Sequence, residues 1–544
     1  MGNSLPSGRR VNVIHGVTLS NSPEIQSRRR DAGHPAPIRP LRRERAPRVV
    51  RLATALVGLV AIGAYLFVAL SRLTYPFPVE WLESNSLVEV HRILAGQPLY
   101  PAPTAEYVPD GYPPLYFAVS AAAASVLGVS YLPLRLVSLV ASLACFALLG
   151  RLVQRETGSA AAGIGAAGAF AATYWVADTW FDVGRVDSLF LALSIGGLYA
   201  ARWVHGTRGA IAVGVLLGAA VLTKQTGLAE GVAVPVALMV GPQRRLAYTA
   251  ALTEIAVVGI STLALALTSG GWYIYYVFEL MGENALNYSA FGWFWTALLS
   301  ALGLAACAAL VGARRVPLVL LAGCAALAVE GYAALVHSGG GINDLLPAYL
   351  AVGLLAGLAL GNSGQRWWAA MACGVLVFAQ SAFLLSGFHP ARAIPTNADR
   401  AVGERLLSGM KELGGTIAVP ADPGLSVLAG LPPTAHQDAA ADVLRATNQA
   451  AIASFNSSVA AAVAGRRFSA IITDGPGLPP GYPSSLTRYY RQCPQPLLAG
   501  VPAALFRPVA GVPVRPEAVW IPRGRGSCLA TVNLLNGTSK ETRS

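Results

Sequence analysis

A polytopic α-helical membrane protein with a small C-terminal α/β domain is the fold class that this sequence predicts, on three observations. Of its 544 residues, 54% are hydrophobic and only 12% are charged, too apolar a balance for a soluble chain of this length. Apolar runs of roughly 17–25 residues recur, long enough to cross a ~30 Å hydrocarbon core as helices. After Leu385 the composition changes to prolines, polar residues and charges, with no spanning run.

Eleven runs are read as spans: Val49–Ser71, Leu132–Leu152, Ala160–Val176, Ser188–Val204, Ala210–Leu222, Thr226–Val240, Leu246–Thr268, Phe294–Val311, Val316–Val336, Leu345–Leu360 and Trp367–Leu385. A further stretch, Leu115–Val129, is short and suits an interfacial or re-entrant helix better than a crossing. The expected organisation is a disordered basic cytoplasmic tail at 1–48, a membrane domain at 49–387 with a first external loop at 72–131, and an extracytoplasmic domain at 388–544.

Charge supports this threading. The first 51 residues hold eleven arginines against three acids. With that end inside, every cytoplasmic loop (151–158, 201–209, 241–245, 312–315 and 361–366) is basic, as the positive-inside rule requires. The outer loops at 178–187, 223–226, 270–293 and 337–344 carry no comparable excess. The arginine arm invites a nucleic-acid reading, but no aromatic residue interleaves it. A tail that sets orientation and touches anionic lipid accounts for the net charge of +13. It is also too long and basic ahead of the first apolar run to read as a cleavable signal.

In the C-terminal part, Thr416–Val419 and Ala470–Thr473 read as short buried strands with helical sequence at Asp438–Ala464 between them. The segment 475–484 and the Arg/Gly/Thr-rich tail read as loop or disorder. Four of the six cysteines lie in spans as small apolar residues. Cys493 and Cys528 fall in the external domain, where a disulfide can form. No CxxC or HExxH spacing occurs, so the sequence supports no zinc site, and no cofactor is implied.

The unusual polar residues collect on the outer side. Glu80 and Glu83, three apart, would share a face if helical, and Glu89 follows. Asp178, Asp182, Arg185 and Asp187 cluster before the fourth span, where Asp182 and Arg185 are also a possible structural pair. Lys224 is the only lysine before Lys411. His337, Asn343 and Asp344 flank a triple glycine, and Glu230 and Glu330 fall in the outer halves of two spans. A transporter would place such charges near the midplane, often with internal repeats, and no repeat is evident. Carboxylates with a neighbouring Lys or Arg at one membrane surface suit transfer of a group from a lipid phosphate.

The stretches PVEWLESNSLVEVHRILAGQPLYP, YPPLYF, GRVDSLFLAL and LTKQTGL resemble the polytopic GT-C glycosyltransferases of the protein-mannosyltransferase and aminoarabinose-transferase kind, across roughly Val49–Leu385. Those enzymes carry an Asp-Glu motif about a dozen residues before a glycine. Glu83 matches its second acid ahead of Gly96, while Leu82 stands where the first would be. The resemblance implies an inverting displacement from a polyprenyl-phosphate sugar donor to a glycan, lipid or protein acceptor at the outer face of the cytoplasmic membrane. Glu83, or Glu80, would be the base; Lys224 and Arg185 would hold the phosphate. Asp187, Asp182, Tyr112 and His337 would bind or orient substrate. The competing classes are a transporter or flippase and a non-catalytic envelope-binding scaffold.

Overall fold

The computed structural model describes residues 41–241, 244–312, 316–362 and 366–537. The tail expected at 1–48 lies outside the described residues up to position 40; from Leu41 the chain is already helical, ahead of the expected start at Val49. Arg43–Ser544 forms one compact unit.

All eleven apolar runs form helices. Among the described residues, seven are long and apolar enough to cross a membrane: Ala46–Arg72, Tyr131–Thr157, Arg244–Thr268, Tyr288–Gly312, Leu318–Leu335, Ile342–Gly361 and Trp367–Ser386. The run expected at 160–176 is shorter, Ala160–Ala172. There the Thr173 hydroxyl donates to the Phe170 carbonyl, and the chain turns into a 3₁₀ segment at Trp180–Asp182. The helix Leu115–Leu127 has 13 residues, which at 1.5 Å per residue falls well short of the hydrocarbon core. Small residues let the helices touch backbone to backbone: a Cβ at Gly168 would sit 2.0 Å from the Gly58 Cα, the close approach that membrane helices use in place of hydrophobic driving force. Glu330 links two helices by accepting the Glu230 backbone N–H at 3.2 Å.

The C-terminal part holds four strands, β1 (Thr416–Ala418), β2 (Phe468–Thr473), β3 (Tyr490–Gln492) and β4 (Ala518–Pro522), in the order β1-β2-β4-β3. The β1–β2 pair is parallel, joined through helices that include Gln437–Arg445 and Gln449–Ala464. This is the strand–helix–strand pattern read from the sequence. The other two strands are antiparallel additions. Cys493 and Cys528 form a disulfide with Cα atoms 5.2 Å apart, and the tail expected to be loop contains the helix Cys528–Leu535.

This sheet layer shares its apolar core with the loops at 72–131 and 270–293. Tyr100 and Val108 of the first loop, and Tyr273, Tyr276 and Val277 of the loop at 270–293, pack in one cluster with Val443, Phe455 and Val459. Backbone bonds join Ala435 N–H to Ala105 and Val509 N–H to Val79.

Two buried ion pairs tie the first loop to the helices. Arg135, in Tyr131–Thr157, donates to Glu83 Oε1 and Oε2 at 3.0 and 2.7 Å and to the carbonyls of Arg72, Tyr75 and Phe77. Arg72 donates to both oxygens of Asp182 at 2.8 Å and to the Thr179 hydroxyl and carbonyl. The second clasp holds Asp178 and Thr179 in left-handed backbone, φ 50° and 56°.

Breaking one partner of such a pair strands the other charge in apolar surroundings. Arg135→Ala is therefore expected to cost about 3–5 kcal/mol, read as a lower unfolding temperature in detergent. Arg135→Met combined with Glu83→Leu should recover only part of that loss, because the Val79 and Gly184 N–H groups and three carbonyls lose their partners. Full recovery would mean that the pair does not hold the loop.

Candidate functional site

The site is built on the first loop, the turn before helix Asp187–Trp203, and the loops at 223–226 and 337–344. Glu80 precedes the helix Glu83–Leu94 and Glu83 is its first residue. The two carboxylates therefore do not share a helix face, contrary to the expectation from their spacing. Glu83 accepts from Arg135 Nε and Gly184 N–H on one oxygen, and from Arg135 Nη2 and Val79 N–H on the other. Those four bonds use all the lone-pair directions of a carboxylate. Burial would raise its pKa, but Arg135 and the two backbone donors hold it below the ordinary range. In this arrangement Glu83, read from the sequence as the preferred base, offers no open lone pair to a hydroxyl.

Glu80 differs. Its Oε2 accepts only the Leu82 N–H, at 3.0 Å, and its Oε1 is buried with no hydrogen-bond partner. Burial, reinforced by the neighbouring Glu83, drives its pKa well up against the pull of Arg185. Glu80 also lies beneath the segment at 509–511, bridged to Ala510.

Arg185 does not pair with Asp182, which belongs to Arg72 and also accepts the Tyr174 hydroxyl at 2.8 Å. Asp182 is thus a buried clasp to the first helix and does not line the cavity beside Lys224. Arg185 instead pairs with Asp110 at 3.2 Å, stands over the Tyr112 ring at 5.2 Å, and leaves its Nε without a partner. Asp110 receives Asn85 Nδ2 at 2.5 Å.

Lys224 Nζ lies 2.9 Å from both Asp187 Oδ1 and Asp344 Oδ1. Burial would discharge this amine, yet the two carboxylates raise its pKa well above the ordinary value, so it stays cationic. Asp187 is fixed in turn by Trp180 Nε1 at 2.8 Å and Asn343 Nδ2 at 3.3 Å. It therefore holds Lys224 in place and does not itself line the cavity beside it.

That cavity, of about 270 Å³, is lined by Tyr112, Lys224, Gln225, His337, Asp344 and, from the C-terminal part, Asp438 and Asp442. Apolar side chains including Leu228, Val277 and Phe278 complete it, and Leu228 and Phe278 are themselves partly open to the outside. Of the expected residues, Lys224, Tyr112 and His337 meet here, Arg185 stands against Tyr112, and Asp182 and Glu83 lie elsewhere. Sequence reasoning passed over Asp110, Arg135, Asp438 and Asp442. The last two were visible only as an i, i+4 acidic pair in a helical stretch, and Arg135 as one charge in an otherwise apolar run. Among the described residues, no group of three or more His, Cys, Asp or Glu side chains is placed to hold a metal ion.

Residues 111–274 match the family model of dolichyl-phosphate-mannose-protein mannosyltransferase. The matched region includes Tyr112, Arg185, Asp187 and Lys224; Glu80 and Glu83 precede it. Three solved structures are similar. ArnT from Cupriavidus metallidurans, bound to undecaprenyl phosphate, aligns with TM-score 0.47 at 12% identity over 69% of this chain and 85% of its own. The arabinofuranosyltransferase AftD from Mycobacteria aligns at 0.46 with 16% identity, over 85% of this chain and 41% of its own. The oligosaccharyltransferase of Archaeoglobus fulgidus aligns at 0.42 with 12% identity, over 76% and 69%. No curated protein sequence matches the chain.

Glu89 offers a pH test of the loop. It accepts the Asp110 N–H at 2.8 Å and the Tyr107 hydroxyl, and burial together with the Asp110 carboxylate pushes its pKa from 4.5 to about 8. Across that window the folded chain keeps a proton that the unfolded chain has released, so stability falls as pH rises. The unfolding temperature in detergent is expected to drop between about pH 5 and about pH 9, and Glu89→Gln should flatten the drop. An unchanged slope in the variant would remove Glu89 as its source.

Proposed function

We propose, from the glycosyltransferase-family match of residues 111–274 and the cavity that those residues line, that this chain is a GT-C membrane glycosyltransferase. It moves a sugar from a polyprenyl-phosphate donor to a cell-envelope acceptor at the outer face of the cytoplasmic membrane. The observation that carries the reading is a buried, charged lysine in a cavity whose apolar wall, at Leu228 and Phe278, reaches the molecular surface. A prenyl phosphate is the ligand class that needs an anion site and a lipid path together.

In the reaction, the acceptor oxygen attacks the anomeric carbon of the donor sugar while the bond from that carbon to the phosphate oxygen breaks. The bonding pair goes to the phosphate, where Lys224 and Arg185 stabilise the charge. The acceptor proton passes to Glu80, the loop carboxyl with an oxygen free of hydrogen bonds, acting as general base. Tyr112 and His337 flank the bound sugar phosphate, and Asp187 and Asp344 hold the lysine in place. Glu83, with Arg135, keeps the loop in position. The basic loops support an N-terminus in the cytoplasm, and the Cys493–Cys528 disulfide suits an oxidising compartment for 388–544.

Lipid profiling tests this. Cells lacking the protein are expected to accumulate a polyprenyl-phosphate monosaccharide. The wild type should clear it; Glu80→Gln and Lys224→Ala, present at equal level in the membrane, should lower turnover by about 100-fold or more. No accumulating lipid-linked sugar, or full turnover by both variants, would favour a transporter or scaffold.

A further inference from the structure

Asp438 and Asp442 come from the helix Gln437–Arg445 of the C-terminal part, yet both line the cavity that holds Lys224. The neutral His436 caps this helix, its Nδ1 accepting the Asp438 N–H at 3.1 Å. The helix is thereby held against the first loop through the Ala435 to Ala105 bond. Asp442 is paired with Arg445 and faces Gly339, where an added Cβ would be 3.8 Å from its Oδ1. The Asp438 carboxylate has no hydrogen bond to the protein among the described residues. Two further lining atoms share that condition: Gln225 Oε1 and His337 Nδ1 are both buried without a partner, although Gln225 Nε2 is anchored on the Gly111 carbonyl at 2.9 Å.

Buried polar atoms are nearly always satisfied. Two unsatisfied ones, Gln225 Oε1 and His337 Nδ1, line this cavity together with the unbonded Asp438 carboxylate, and as these are chiefly acceptors the occupant must bring donors. Lys224 supplies the site for an anion in the same cavity. A ligand that is anionic at one end and rich in hydroxyl groups at the other meets both demands, and a glycosyl phosphate has that form.

We propose that Asp438 and Asp442, with Gln225 and His337, form the subsite that binds the hydroxyl groups of the donor's sugar, so that the C-terminal part sets sugar specificity. This rests on the lipid-phosphate reading above. Asp438 and Gln225 accept from neighbouring ring hydroxyls, and Asp442 from a third or from one held through Arg445. A site built to hydrogen-bond hydroxyls rejects ligands that lack them, because its own buried groups are then left unpaired.

The test uses the full-length protein in detergent, with undecaprenyl phosphate and its mannosyl, glucosyl and arabinosyl forms as probes. Wild type is expected to bind at least one sugar-bearing lipid about tenfold more tightly than the bare lipid phosphate. Asp438→Asn and the Asp438→Asn/Asp442→Asn pair should lose that increment while binding the bare lipid as wild type does. That retained affinity also shows that the variants are folded. Lys224→Ala should weaken every probe. Variants that keep the increment, variants that lose bare-lipid binding in equal measure, or a wild type that prefers no sugar-bearing probe would each overturn the subsite. A wild type that fails to bind bare undecaprenyl phosphate would overturn the lipid-phosphate reading itself.

Discussion

The Glu83–Arg135 ion pair is the constraint on which the site-bearing half of this molecule depends. Both groups are completely buried, and a buried charge persists only when it is paired and its remaining hydrogen-bonding capacity is filled. Both conditions are met because the loop is folded as it is. Gly184 and Val79 supply the other donors to Glu83, and three carbonyls at 72–77 take the other Arg135 protons. One guanidinium thereby fixes the exit of the first helix, the start of the loop and the turn that carries Arg185. Glu80 and Arg185 take their positions from this knot without being part of it.

The same logic explains the distribution of acids. Arg72 has Asp182, Arg185 has Asp110, and Lys224 has Asp187 with Asp344. Each cation is held by carboxylates from a distant part of the chain, so the pairs act as staples between elements. These groups differ in saturation: Arg185 Nε and Glu80 Oε1 have no partner, while the Glu83 carboxylate is fully bonded. Unused hydrogen-bonding capacity is what binding and proton transfer need. Saturated capacity is what positioning needs. That contrast moves the catalytic proposal from Glu83 to Glu80.

Much of the fold was legible in the sequence because it rests on local pattern. Apolar run length located the helices, and the parallel β1–β2 pair followed from two short apolar strands separated by helical sequence. The brevity of Leu115–Leu127 was visible in its flanks. The site was legible in part. Lys224 stood out as a lone lysine between apolar runs, and it proves buried and doubly paired. The partners were not legible, since Glu83 and Arg135 are 52 residues apart and Arg72 and Asp182 are 110 apart, and no spacing rule links such positions. Asp182 and Arg185 look like natural partners at three residues' separation, but the 3₁₀ turn at Trp180–Asp182 ends between them and sends them to different elements. Asp438 and Asp442 carry no signal beyond their i, i+4 spacing; the docking of their helix on the first loop makes them a cavity wall.

The cavity at Lys224, taken as an anion site reached from the lipid phase, is the hinge of the proposed chemistry. An experimental structure of the full-length protein with undecaprenyl phosphate tests it most directly. The phosphate is expected within hydrogen-bonding distance of Lys224 Nζ, beside Tyr112 and Arg185, with the prenyl chain leaving past Leu228 and Phe278. A phosphate bound elsewhere, with the Lys224 cavity empty, would contradict it.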